Sequence, residues 1–210
     1  SICHLFCNKI LTPLKNFKFI TFLTSNIDMD RSSLDELFAH CKTKQFTKGE
    51  FLLQEGEKCE VSFYVEQGLL KQYYIDDRGK EHILQFGPEN WFVTDRDSVY
   101  FNEPSKYFIQ ALEDTLVLMV NEELINKLSR ENPNFLALNH KLLHNHIRQL
   151  QKRIVQLLSG TAEERYLDFI KTYPDILMRV PQTMVASYLG IAPESLSSVR
   201  KELAAKNFRK

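Results

Sequence analysis

VPQTMVASYLGIAPESLSSVRKEL, residues 180–203, decides how this chain is read. Gln182 to Leu189 suits a short helix with Met184, Val185, Tyr188 and Leu189 on one apolar side. Gly190 stands where that helix must end, and glycine accepts the left-handed backbone such an ending favours. Ile191 plugs the turn, and Pro193 fits the first turn of a second helix, where its missing N–H costs nothing. Leu196, Val199 and Leu203 recur at helical spacing and give that second helix one buried face. Its other face carries Glu194, Ser195, Ser197, Ser198, Arg200 and Lys201, all able to reach base edges or phosphates. The stretch therefore predicts a DNA-docking helix-turn-helix, with an ordinary helical hairpin as the alternative it leaves open.

Upstream, the chain runs from Asn132 and Pro133 to Ser159 and Gly160 with no glycine or further proline between. Leu143, Ile147, Leu150, Ile154 and Leu157 alternate steps of four and three, the seam of a two-stranded coiled coil, and Leu136 extends the series. A helix lying on its own barrel needs a broader stripe, so the spacing predicts a dimer seam. Residues 161–178 begin another helix, with Glu163 and Glu164 in its first turn and Leu167, Phe169 and Ile170 expected inward.

Between Gln45 and Val120 the pattern changes to short apolar runs: 51–53, 61–65, 69–75, 82–86, 107–112 and 116–120. Gly49, Gly56, Gly68, Gly79 and Gly87 punctuate them, and Asp76, Asp77, Arg78 and Gly79 form a good hairpin loop. Such strands predict an antiparallel sandwich or barrel, which either fills its interior or holds one small ligand. The expected fold class is α+β, an antiparallel β-roll or jelly-roll sensor followed by a long helix and a helix-turn-helix.

The 210 residues carry 27 basic and 27 acidic side chains, so overall charge gives no hint of a nucleic-acid partner. Its distribution does. Residues 132–162 contain no acid but hold Lys141, Arg148, Lys152 and Arg153, and residues 181–210 set Glu194 and Glu202 against Arg200, Lys201, Lys206, Arg209 and Lys210. This C-terminal excess is what a phosphate-contacting surface requires, a solvated face being the blander alternative. Cys3, Cys7, Cys41 and Cys59 lack convincing disulfide or metal spacing, so reduced thiols are expected, with an iron–sulfur site as the weaker alternative. His4, His40, His82, His140, His144 and His146 form no catalytic set. His140 and His144 have a metal-clamping separation, but a solvated helix face is the preferred reading, and no enzyme is expected.

Lys9, Lys15 and Lys18 break every apolar run of the first 28 residues well short of a membrane span. Met29 opens a polar, helix-forming stretch that reads as a natural amino terminus. Residues 1–28 are therefore expected to be a disordered or non-native leader. The sensor is expected over 29–132, the dimerisation helix over 133–159 and the DNA-binding unit over 160–210.

The chain resembles the Crp/Fnr family of bacterial transcription regulators. The resemblance rests on Phe46 to Glu50 with Gln54 to Glu57, on Phe63 to Gly68, on Asn132 and Pro133, and on Gly190 and Glu194, in this domain order. It implies a cytoplasmic homodimer that binds double-stranded DNA, is switched by a small effector in the barrel, and acts on RNA polymerase.

The ligand pattern departs from that family. Cyclic-nucleotide-binding members carry Gly-Glu for the ribose, then Arg-Ser for the phosphate. Here the matching residues are Thr94 and Asp95, then Ser105 and Lys106, and lysine does not reproduce the planar arginine fork. Leu150, followed by Gln151, falls where the family places a purine-contacting hydroxyl. The expected effector is therefore not cyclic AMP. The candidate pocket combines these residues with Leu84, Phe86, Trp91, Phe92 and Tyr107, whose aromatic rings suit something more apolar if they do not simply fill the core. The reading helix departs as well. Family arginines are replaced by Pro193 and Ser198, and Arg200 lies about 200° around the helix from Ser198. Glu194 remains able to accept from a cytosine amino group. Ser195, Ser197 and Ser198 are assigned to bases or phosphates, Arg200 and Lys201 to the backbone, and Thr183 joins them from the first helix. Relatives often continue into a β-hairpin wing, which is expected to be missing or minimal here.

Overall fold

The computed structural model describes residues 17–28, 34 and 41–207. Among the described residues, eight strands form two antiparallel four-stranded sheets. Sheet one runs β1 (Lys42–Phe46), β8 (Thr115–Asn121), β3 (Val61–Gln67) and β6 (Phe92–Val93). Sheet two runs β2 (Phe51–Leu53), β7 (Phe108–Ala111), β4 (Leu70–Ile75) and β5 (Glu81–Gly87). Alternation along the strands turns Phe46, Phe63, Val65, Val93 and Val117 of the first sheet onto Leu53, Leu70, Ile109 and Ala111 of the second, and these side chains make a core between the sheets. Gly68 joins β3 to β4 at φ +96°, and a Cβ there would stand 2.5 Å from the Thr115 hydroxyl, so the turn requires glycine.

The strand runs expected from the sequence are all present, within a residue or two at their ends. Sequence reasoning missed β1 and β6, as well as α1 (Lys18–Asn26), α2 (Arg96–Phe101) and α3 (Glu122–Glu131). Helix α1 corrects the expectation that the whole leader is disordered. Phe19 and Leu23 are almost fully buried in it, and with Ile27 they pack on the outward side of sheet one against Tyr64, Leu118, α3 (Glu122–Glu131) and the start of α4 (Pro133–Ser159). The buried Glu66 carboxylate accepts from the Lys18 and Phe19 backbone N–H groups, capping the helix from β3. Burial is the larger influence on that carboxyl and pushes it above its usual range, although both N–H groups pull the other way. The helix-forming stretch opened by Met29 lies outside the described residues except for Leu34 and Cys41, as do Cys3, Cys7, His4, His40, Arg209 and Lys210.

Helix α4 has the expected limits. The Asn132 side chain accepts from the Asn134 and Phe135 N–H groups, Pro133 opens the first turn, and Gly160 follows the end. Next come α5 (Ala162–Thr172), opened by a Thr161–Glu164 capping box, a 3₁₀ turn (Ile176–Met178), α6 (Gln182–Leu189) and α7 (Pro193–Asn207). Phe169 of α5 is buried and Ile170 half-buried as expected, but Leu167 points outward and Tyr166 takes the inward position. No described helix is long and apolar enough to cross a membrane. Because α1 shields one face of the barrel, Leu23→Ala should lower the stability by about 2–5 kcal/mol in urea titration. A change below about 0.5 kcal/mol would place α1 outside the folded unit.

Candidate DNA-reading unit and its seat on the barrel

Helices α6 and α7 form the expected helix-turn-helix. Gly190 ends α6 at φ +66° and its N–H returns to Ala186 and Ser187, while the Ile191 N–H reaches the Ala186 carbonyl. This is a left-handed cap closed by two carbonyls. Val185, Ala186, Leu189, Leu196 and Val199 are buried, with Met184, Tyr188, Ile191 and Leu203 half-buried against them. Thr183, Pro193, Glu194, Ser195, Ser197, Ser198 and Lys201 are exposed and Arg200 is half-exposed, so each predicted DNA-facing residue is accessible, with Arg200 turned well away from Ser198 around α7. Gln182, which sequence reasoning did not select, joins Ser197, Arg200 and Lys201 in lining an open groove. Its position at the start of α6 was the available signal. The Ser197 hydroxyl donates to the Pro193 carbonyl within α7.

This unit is seated on sheet two. Leu69, Tyr73, Ile83 and Phe86 of the sheet pack with Tyr166, Phe169, Tyr173, Ile176 and Val185 in one continuous cluster. Tyr173 is its centre, with ring centroids 5.8 Å from Phe86, 5.6 Å from Tyr188 and 5.1 Å from Trp91. Edge-on and tilted packing at these separations is favourable beyond the area buried. Burial raises the Tyr173 hydroxyl well above its ordinary pKa.

Three arginines hold the seat. Arg179 forks onto Glu113 (2.9 and 2.7 Å) and Glu89 (2.9 and 3.2 Å), both on loops of the barrel. Arg165 donates from α5 to the Gln156, Leu157 and Gly160 carbonyls at the end of α4 and to the Leu189 carbonyl of α6. Arg153 of α4 donates to the Ile83 and Leu84 carbonyls of β5 and to the Tyr188 carbonyl of α6, with its guanidinium 3.7 Å from the centre of the Tyr188 ring. Lys152 pairs with Asp168, and Lys206 with Glu163 at 2.8 Å. The expectation that the C-terminal basic residues together face phosphate is thereby corrected: Arg153, Lys152 and Lys206 are engaged within the protein.

The predicted effector residues fall in different places. Phe86 and Trp91 belong to the cluster beneath the helix-turn-helix, whereas Phe92 packs outward with Phe19 and Tyr64. Leu84 and Lys106 are exposed, as are Leu150 and Gln151 on α4. Thr94, Asp95, Ser105 and Tyr107 remain in the sensor wall. Asp95 is 1% exposed; one carboxylate oxygen caps α2 through the Asp97 N–H at 3.1 Å, and the other has no partner among the described residues. A buried carboxylate suits a hydroxyl donor and repels a phosphate. The Ser105 hydroxyl, at the family's arginine position, is spent on the Tyr107 N–H and carbonyl. Neither Ser105 nor Lys106 supplies the planar arginine fork that the resemblance assigns to a cyclic-nucleotide phosphate. Of the cysteines, Cys41 is pushed up to about 12 by burial, and Cys59 is buried with its thiol donating to the Val61 carbonyl. The described residues contain no group of three or more metal-ligating side chains.

Residues 43–132 match the model of the cyclic nucleotide-binding domain. The chain is 29% identical to the transcriptional activator protein Anr of Pseudomonas aeruginosa, over 81% of this chain and 72% of that protein. It is 26% identical to the fumarate and nitrate reduction regulatory protein of Vibrio cholerae, over 80% and 72%. The chain is thus similar, over most of its length, to regulators of the Crp/Fnr type. Its fold is shared with FixK2 of Bradyrhizobium japonicum (TM-score 0.67, 19% identity, 80% of this chain and 86% of that one). A CooA variant of Carboxydothermus hydrogenoformans has it too (TM-score 0.65, 19% identity, 87% and 83%). The matched relatives are regulators rather than enzymes.

The seat makes an acid-sensitive contact. Burial alone would raise the Glu89 carboxyl, but hydrogen bonds from Arg179 and the Gly68 N–H outweigh it and hold the group below its ordinary value of 4.5. A depressed carboxyl contributes stability above that value and loses it as pH falls through the lowered one. Trp91 is the only tryptophan and reports on the cluster. Its fluorescence should therefore change as pH falls below 4.5, and Glu89→Gln should remove that component of the transition. An identical acid profile for the variant would contradict the assignment.

Proposed function

We propose that this chain is a Crp/Fnr-type transcription regulator that works as a homodimer, with two copies of α7 reading successive major grooves of double-stranded DNA. The single observation that carries the reading is the apolar stripe left on α4. Leu143, Ile147, Leu150, Ile154 and Leu157 are between 40% and 55% exposed, whereas Phe135 and Leu138 of the same helix are buried against the barrel. A coiled-coil seam with a second copy would cover the stripe and hold the two reading units in a fixed relation. Both α7 helices then enter successive grooves only when separated by about 34 Å, one duplex turn.

Glu194, Ser195, Ser197 and Ser198 are the proposed base-reading set, Thr183 and Pro193 line its approach, and Arg200 and Lys201 carry the phosphate contacts. A small effector in the sensor wall, using Asp95 as a hydroxyl acceptor and distinct from cyclic AMP, shifts α4 and with it the separation of the reading helices. It needs to favour the competent state by only a few kcal/mol. The filled space between the sheets also supports a constitutive regulator that reads DNA without an effector. The natural setting of either is the cytoplasm, with RNA polymerase as the partner acted upon.

Replacing Arg200 and Lys201 together by alanine should weaken DNA binding across sequences and lower the salt slope by about 2, with dimerisation intact in sedimentation. Cyclic AMP should leave both titrations unchanged. Unaltered DNA affinity in the double variant would favour a sensor acting through protein contacts, and a response to cyclic AMP would overturn the effector assignment.

A further inference from the structure

Strand β5 lies at the edge of sheet two, paired only with β4. Its other side would present unpaired backbone groups, which folded proteins cover, bend away or charge. Here the DNA-reading unit covers them. The Ser187 hydroxyl of α6 accepts from the Ile83 N–H at 3.1 Å and donates to the Glu81 carbonyl at 2.8 Å. The β4–β5 register slips between Gln72–Gln85 and Tyr73–Ile83, leaving Leu84 as the extra residue of a bulge. At that bulge the Ile83 and Leu84 carbonyls both accept from Arg153. The same guanidinium donates to the Tyr188 carbonyl at 2.9 Å, two residues before the Gly190 cap that starts the helix-turn-helix bend, and stacks on the Tyr188 ring. One side chain on the dimer helix thus touches the sensor edge and the reading unit at once, and Tyr188 passes the contact to Phe86, Phe169 and Tyr173.

We infer that Arg153 is the positioning residue that fixes the attitude of the helix-turn-helix relative to the dimer helix, and so sets which half-site spacing the dimer accepts. The inference rests on the DNA-regulator reading and adds to it the residue through which sensor, seam and reading helix are joined. Arginine is required by geometry. Three carbonyls and an aromatic face are met by a planar fork with several donors, which the single ammonium of lysine does not reproduce. Arg153 makes no contribution to base reading in this scheme, because its donors are spent inside the protein.

The experiment titrates wild type, Arg153→Lys and Arg153→Ala against duplexes carrying two inverted half-sites whose separation changes one base pair at a time, and against a duplex with a single half-site. Wild type should show a sharp optimum. Both variants should flatten it, losing about tenfold at the best spacing while single-half-site affinity stays within about threefold. The lysine variant keeps charge and stem, so it tests the fork even if alanine unfolds the seat. A spacing profile of Arg153→Lys that superimposes on wild type would overturn the inference. Equal loss on the single half-site would also overturn it, by making Arg153 a support of the reading unit's own fold. A wild-type protein indifferent to spacing would overturn the DNA-regulator reading itself, and the inference with it.

Discussion

An edge strand with unsatisfied backbone groups has to be covered, and in this molecule what covers it is the DNA-reading unit. The free side of β5 meets Ser187 and Arg153, and beside it Phe86 and Trp91 meet Tyr173 and Tyr188. Polar pairing gives the contact direction, because only one placement of α6 brings Ser187 onto both Ile83 and Glu81. Aromatic burial gives it strength, since each ring removes a large apolar area from water. The position of the reading helix is therefore a consequence of how the barrel ends.

Charge is divided between two tasks. Arg153, Arg165 and Arg179 hold backbone carbonyls or carboxylates inside the molecule, where a planar fork is worth most. Arg200 and Lys201 are left on the accessible side of α7, beside Gln182 and Ser197. A net charge of zero conceals this division, because Lys152 and Lys206 pair with Asp168 and Glu163 at the surface and Arg153 is held by backbone carbonyls.

Much of the fold was legible because punctuation and periodicity agreed. Asn132, Pro133 and Gly160 bracket α4, and glycines separate the strands of the barrel. Gly190 marked the turn between α6 and α7 for a reason the structure makes plain: a left-handed backbone and a Cβ position only 3.3 Å from Leu157. Strand β1 was hidden because Lys42, Thr43, Lys44 and Gln45 are all exposed on a sheet edge, leaving Phe46 as its single buried residue. Helix α1 was hidden by its lysine-rich surroundings, although Phe19 and Leu23 stand four residues apart on one helical face and Ile27 follows at the same step just past its end. In the reading unit the exposed set could be read from the α7 pattern, whereas Gln182 depended on how α6 meets α7. The effector residues were placed by counting along the chain, and that cannot tell whether Phe92 turns toward the interior or toward α1. Nor does sequence distinguish Arg153, bound to three carbonyls, from Arg148 on the same helix, since that difference arises only when β5 and α6 converge.

Two reading helices held one duplex turn apart by the α4 seam should recognise an inverted repeat. Selection of bound sequences from a random duplex pool by the purified full chain should then enrich such a repeat, with half-site centres about 10 base pairs apart. Enrichment of a single unrepeated motif, or of none, would contradict that arrangement.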